Sequence, residues 1–179
     1  MNNKLVFEID SEGIFGTGNH PTTVLCLEML ERYLNKGDKL LDVGTGSGIL
    51  MFAAAKLGAG EVCGIDKNHA AVAIARRNII RNQIEDKRIE LRTGNLVEGV
   101  EEKYDLVVAN ILTEVILTLL DNIKEIITEN GIFICSGMLE GNTHRVEEKM
   151  KASGFEILET RTKNKWVAIA GRLKNRPSP

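Results

Sequence analysis

The chain has 179 residues, 43% of them hydrophobic and 27% charged, which suits one domain with its own core and excludes intrinsic disorder. Lys and Arg number 23 against 25 Asp and Glu, a net charge of −2. That balance speaks against a protein whose main task is gripping phosphate backbones, so no strong nucleic-acid binding is expected. In chain order, Thr22 to Leu34 is the first clear element. Its apolar residues Val24, Leu25, Leu27, Met29, Leu30 and Leu34 fall at helical spacing. Pro21 stands at the start and Gly37 beyond the end, as helix boundaries favour. Lys39–Val43 reads as a short strand running into Gly44-Thr-Gly-Ser-Gly48, and Ile49–Leu57 as an Ala-rich apolar helix ended by Gly58.

A second strand spans Glu61–Ile65 with Asp66 at its end, followed by an amphipathic helix over Ala70–Asn82 and a third strand over Ile89–Thr93. Tyr104–Ala109 is an almost continuous apolar run, as expected of a central parallel strand buried on both faces. A helix over Glu114–Glu129, a strand over Gly131–Ser136 and a helix over Asn142–Ala152 complete the alternation. Phe155–Thr162 and Trp166–Leu173 stand three residues apart, a link that admits an antiparallel hairpin and forbids a parallel crossover. Five βα units and a hairpin predict an α/β fold. Its form is a doubly wound, Rossmann-like, seven-stranded, mostly parallel sheet with a C-terminal antiparallel hairpin strand.

The strongest motif is Leu41-Asp-Val-Gly-Thr-Gly-Ser-Gly48 between a strand and a helix, with Asp66 ending the next strand. Gly44, Gly46 and Gly48 allow a tight turn and a close backbone approach to a ligand. Asp66 is placed to accept hydrogen bonds from ribose hydroxyls, so an adenosine-bearing cofactor over the carboxyl ends of the strands is expected. A dinucleotide site prefers G-x-G-x-x-G, with pyrophosphate on the helix N-terminus. Here the spacing is G-x-G-x-G with Asp42 before it. An acid there repels pyrophosphate and suits a cofactor carrying an amino group and a sulfonium. The competing reading is that the glycines only permit tight βα packing.

Asp42-Val-Gly-Thr-Gly-Ser-Gly48 with Asp66 resembles the S-adenosylmethionine-binding signature of the Rossmann-like methyltransferases. More narrowly, Phe15-Gly-Thr-Gly-Asn-His-Pro-Thr-Thr23 and Asn110-Ile-Leu112 resemble the ribosomal protein methyltransferase A (PrmA) family. Members of that family methylate amino groups of ribosomal protein L-eleven. The likeness runs from Ile14 to Leu173, the family's catalytic domain. It implies cofactor contacts at Thr23, Gly44, Asp66 and Asn110. The family also carries a separate N-terminal recognition domain, whereas 13 residues precede Ile14. The expected organisation is therefore a short extension over 1–13, a methyltransferase domain over 14–174 and a frayed tail over 175–179. Acceptor recognition is then expected to be weak or to come from a partner.

Other residues carry two readings each. Gly16 and Gly18 with Thr22 and Thr23 form either a loop over the methionine end of the cofactor or a plain turn and N-cap. His20 is either a general base or a partner to its neighbours. Asn110, ending the buried strand, is either an ordinary turn residue or the candidate catalytic residue, whose amide can accept a hydrogen bond from an incoming amine and orient the lone pair. Asn95, in Thr93-Gly-Asn-Leu96, either contacts the adenine amino group or forms an ordinary turn. The cofactor-binding candidates are thus Thr23, Asp42, Gly44, Gly46, Gly48, Asp66, Asn95 and Asn110. Lys67, Arg76, Arg77, Arg81, Lys87 and Arg88, mixed with acids, read as a solvated helix face or a weak contact surface for ribosomal RNA, and Met138 and Leu139 as apolar packing or a substrate mouth.

Cys26, Cys63 and Cys135 are dispersed without a C-x-x-C pair, which predicts buried reduced thiols. The scattered His20, His69 and His144 predict no metal site. No signal-peptide-like run opens the chain, and the stretch from Leu106 to Leu120 is too short and too polar to span a bilayer, so a cytoplasmic protein without membrane contact is expected. The function expected is an S-adenosyl-L-methionine-dependent N-methyltransferase acting on protein amino groups, a ribosomal protein among them. The alternatives are a small-molecule amine as acceptor, and a non-catalytic cofactor-binding module. A nucleotide-dependent oxidoreductase is disfavoured by the G-x-G-x-G spacing.

Overall fold

A computed structural model describes residues 8–10, 18–84 and 88–174. Helix α1 (Pro21–Tyr33) leads into β1 (Lys39–Val43), α2 (Ile49–Leu57), β2 (Glu61–Asp66), α3 (His69–Arg81) and β3 (Ile89–Thr93). After β4 (Tyr104–Asn110) come α4 (Thr113–Ile126), β5 (Ile127–Leu139), a 3₁₀ turn over Glu140–Asn142 and α5 (Thr143–Ala152). The hairpin β6 (Phe155–Lys163) and β7 (Trp166–Leu173) closes the chain. The strands form one seven-stranded sheet in the order β3-β2-β1-β4-β5-β7-β6. Pairings among β1 to β5 are parallel, and β7 runs antiparallel between β5 and β6.

Side chains of a strand alternate between faces, and the two cores follow from that. Leu41, Val43, Val107 and Ala109 pack with α4 and α5 on one face. Leu40, Leu106 and Val108 pack with α1 and α2 on the other. Asp42, between Leu41 and Val43, is therefore turned toward the α1 and α2 side, where it is 1% exposed.

Three expectations shift in detail. The helix expected to reach Glu129 ends at Ile126, because Ile127 pairs with Tyr104 at the start of the β4–β5 ladder. The β3–β4 link forms turns, with Glu98 N donating to Asn95 O and Val100 N to Val97 O. Helices therefore follow β1, β2, β4 and β5, four βα units in place of five. Finally, the strand expected over Gly131–Ser136 runs from Ile127 to Leu139, with an irregularity between Ser136 and Met138. Gly137 occupies it at φ 100°, and a Cβ there would lie 2.1 Å from Ile111 O. Only glycine lets the β4–α4 connection approach so closely.

The leading residues 8–10 dock on α3. Asn82 Oδ1 accepts from Glu8 N at 2.8 Å and Asn78 Oδ1 from Asp10 N at 2.9 Å, while their amide groups donate back to the carbonyls of Glu8 and Asp10. Asn78, fully buried, also donates to Ser47 O at 2.9 Å. The β6–β7 turn is Asn164-Lys165, at φ 52° and 66°, the left-handed pair of a type I′ hairpin.

Candidate functional site

The strand order reverses between β1 and β4, and in open α/β sheets such a switch point opens a crevice at the carboxyl ends. A cavity of about 500 Å³ lies there, lined by the ends of β1, β2 and β4, the residues after β3, the start of α1 and Trp166 at the start of β7.

The glycine loop is stitched to β2. Gly44 N and Thr45 N both donate to Ile65 O, at 2.8 and 3.0 Å, and Gly48 N donates to Thr45 O at 2.8 Å. Gly46 N donates to Asp66 Oδ2 at 3.0 Å, and Asn68 N donates to Asp66 Oδ1 at 2.9 Å. Each carboxylate oxygen keeps a second acceptor position, so half-buried Asp66 can hold the loop and still receive a ligand. At Gly44, φ is +75° and a Cβ would meet Ile111 Cγ2 at 2.5 Å. A side chain there would fill the floor of the crevice.

At the other side of the switch point, Asn110 ends β4 opposite Ser136. Its Nδ2 donates to Thr23 Oγ1 at 3.3 Å. Its Oδ1 is buried and has no hydrogen-bond partner in the protein. A buried acceptor left unmade costs about 1–3 kcal/mol, so this atom points to a donor that arrives with a ligand.

Of the eight cofactor-binding candidates, Thr23, Gly44, Gly46, Asp66, Asn95 and Asn110 line the cavity, whereas Asp42 and Gly48 do not. Asp42 Oδ2 accepts from Thr45 Oγ1 at 2.7 Å, behind the loop. Burial pushes its carboxyl up to about 7, and Asp66 adds to the rise, while the Thr45 hydroxyl and the Met51 backbone pull it down. Gly48 caps α2 at φ +86°, with Phe52 so close that a Cβ would lie 2.4 Å from Cζ.

His20 is the N-cap of α1. Its Nδ1 lies 2.8 Å from Thr22 Oγ1, and its ring meets Trp166 edge-on at 5.0 Å. It packs against Trp166 and does not itself line the cavity. Residues 15–17 of the sequence loop lie outside the described residues. Cys26, Cys63 and Cys135 are buried free thiols, and burial raises each thiol pKa, to about 11 at Cys63. In the basic run, Lys67 lines the cavity, Arg77 pairs with Asp10 at 3.5 Å and Arg88 donates to Ala59 O at 3.0 Å. Lys87 lies outside the described residues. Met138 is buried in the core and Leu139 is 48% exposed. Among the described residues, no helix is long and apolar enough to cross a membrane.

Sequence reasoning did not single out Trp166 or Gly137 for the site. Both reach it through the antiparallel insertion of β7 beside β5, for which no local pattern exists. The lone tryptophan of the chain, opening a hairpin strand, was the available signal.

The geometry agrees with known proteins. The solved ribosomal protein L11 methylase of Lactobacillus delbrueckii subsp. bulgaricus superposes with a TM-score of 0.83 at 35% identity, over 88% of this chain and 81% of that one. A precorrin-6y C5,15-methyltransferase from Geobacter metallireducens shares the fold at a TM-score of 0.73 and 16% identity, over 96% of this chain and 100% of that one. Ribosomal protein L11 methyltransferase of Dictyoglomus turgidum is 40% identical over 172 residues, which are 96% of this chain and 56% of that protein. The Desulfosudis oleivorans protein of the same name is 46% identical over 171 residues, 94% of this chain and 57% of its own length. The chain thus spans a little over half the length of these curated relatives. With residues 1–174 matching the model of ribosomal protein L11 methyltransferase (PrmA), the chain belongs to that family.

Proposed function

We propose that residues 14–174 form an S-adenosyl-L-methionine-dependent N-methyltransferase unit acting on protein amino groups, with a ribosomal protein of the L11 type as acceptor. The observation that carries this reading is Asn110, its buried Oδ1 unpartnered, lining one crevice together with Asp66 and the glycine loop. When bound, S-adenosylmethionine supplies a methyl group on a sulfonium, an electrophile already activated for in-line displacement.

The residues present fit that group. Asp66 would hold the ribose hydroxyls, Asn95 would face the adenine, and Gly44 and Gly46 would let the backbone close on the ligand. Thr23 and Asn110 would border the methyl end. Asn110 would accept a hydrogen bond from the incoming amine and fix its lone pair in line, while Ile111, Leu112 and Trp166 give the cavity apolar surface. Positioning and desolvation of this kind supply rate without a nucleophile from the protein. A cytoplasmic location goes with a ribosomal acceptor.

Two measurements test the reading. S-adenosylhomocysteine at about 100 times its Kd should stabilise the fold by about 2.7 kcal/mol, a Tm rise of about 5–10 °C for a domain of this size. NAD should give no rise, and a rise with NAD alone would overturn the cofactor. Methyl-labelled cofactor incubated with ribosomal protein L11 and with small amines then decides the acceptor. Label on a small amine and none on the protein would transfer the assignment to a small-molecule methyltransferase.

A further inference from the structure

The β3–β4 link crosses the rim of the cavity at 94–98. Gly94 N donates to Asp66 O at 3.0 Å, and Glu98 N closes a turn on Asn95 O at 3.1 Å. Asn95 lines the cavity, and its Nδ2 donates to Glu98 Oε1 at 2.7 Å. The two ends of an asparagine amide are unlike: the NH2 only donates and the oxygen only accepts. A carboxylate only accepts. In this exposed pair Glu98 therefore engages the NH2 end, and the Asn95 carbonyl oxygen is the end left for a ligand to meet. Ile65, Ala71 and Leu96 line the same cavity as Asn95 and Asp66 and offer apolar surface to flank a flat ring.

Resting on the reading of the cavity as an S-adenosyl site, we propose that Glu98 is a positioning residue that sets its base selectivity. By holding Asn95 oxygen-outward, Glu98 makes the site favour a purine with a 6-amino group and reject a 6-oxo purine. The 6-amino group donates to the Asn95 oxygen. A 6-oxo group would set acceptor against acceptor, a mismatch that costs more than a missing contact.

Isothermal titration of the full chain with S-adenosylhomocysteine and with its deaminated analogue, S-inosylhomocysteine, tests this. The wild-type chain should prefer the adenosyl compound by about tenfold or more. Glu98→Ala frees the amide to turn, and the preference should shrink about three- to tenfold. Glu98→Lys offers only donors, draws the Asn95 oxygen to itself and presents the NH2 to the base. In that variant the inosyl compound should gain affinity and the adenosyl compound lose it. A residue that merely stiffens the turn would lower both affinities alike and leave their ratio unmoved. An unchanged ratio in both variants, with adenosyl binding retained, overturns the role of Glu98 alone. Failure of the wild-type chain to bind S-adenosylhomocysteine overturns the S-adenosyl reading itself.

Discussion

Replacing Asp66 with Ala probes two roles at once. In the free protein its carboxylate takes hydrogen bonds from Gly46 N at 3.0 Å and Asn68 N at 2.9 Å. A hydrogen bond to a charged group contributes about 1.5–3 kcal/mol. The residue is half-buried, so water can reach both amides in the variant and the net loss falls to about 1–2 kcal/mol. At about 2–4 °C per kcal/mol for this size, the ligand-free Tm should drop by about 2–8 °C. The same change removes the acceptors offered to a ribose, and S-adenosylhomocysteine affinity should fall about tenfold or more. Asp66→Asn should recover little, since its one oxygen serves one amide and its NH2 faces the other. Differential scanning fluorimetry and isothermal titration read the two effects separately. A lowered Tm with unchanged affinity would refute the ribose role and leave Asp66 as a clasp for the loop. An unchanged Tm would refute the clasp.

Asn110→Ala should lower kcat on a methyl acceptor by about 100-fold through lost orientation, with S-adenosylhomocysteine affinity little changed; equal losses in both would argue against a role toward the acceptor. For Asp42, the folded carboxyl titrates at about 7, above its unfolded value of 3.8. The folded state thus holds the proton more tightly, and its advantage, full below the unfolded value, is lost as pH rises through about 7. Urea titrations should show Asp42→Asn gaining on the wild-type chain between pH 4 and pH 8, by an amount on the order of a few kcal/mol; parallel pH profiles would contradict the buried titration. Gly48→Ala should destabilise by about 2–4 kcal/mol, from left-handed backbone strain and overlap with Phe52. Adding Phe52→Leu should recover the steric part, and no recovery would place the cost elsewhere.

The parts of the fold legible in the chain were those with local boundaries. β1, α2, β3 and β7 begin and end where the glycines, charges and apolar runs place them. The end of α4 was not legible, because Ile126-Ile127-Thr128 serves a helix or a strand equally and distant Tyr104 decides between them. The site divides in the same way. Gly44, Gly46 and Asp66 announce themselves through spacing that a βα unit imposes. Asp42 belongs to the same motif, yet strand alternation turns it toward α1 and α2 and makes it a support for Thr45. Trp166 and Gly137 join the cavity only through sheet order, which no window of sequence contains.

The reversal of β7 has a consequence for how such a catalytic unit can diversify. A parallel strand delivers its last residues to the ligand edge, whereas β7 delivers its first, Trp166, immediately after the Asn164-Lys165 turn. One side of the cavity is thus bordered by a hairpin tip, which the proposed function makes the acceptor side, and the other by the ends of strands locked in the middle of the sheet. Hairpin tips tolerate insertion and exchange, and central strands do not. Changes of length or composition at 163–166 can reshape what approaches the methyl end while the glycine loop, Asp66 and Asn110 keep their places. If the proposed function holds, acceptor choice and cofactor binding can therefore drift independently in one fold.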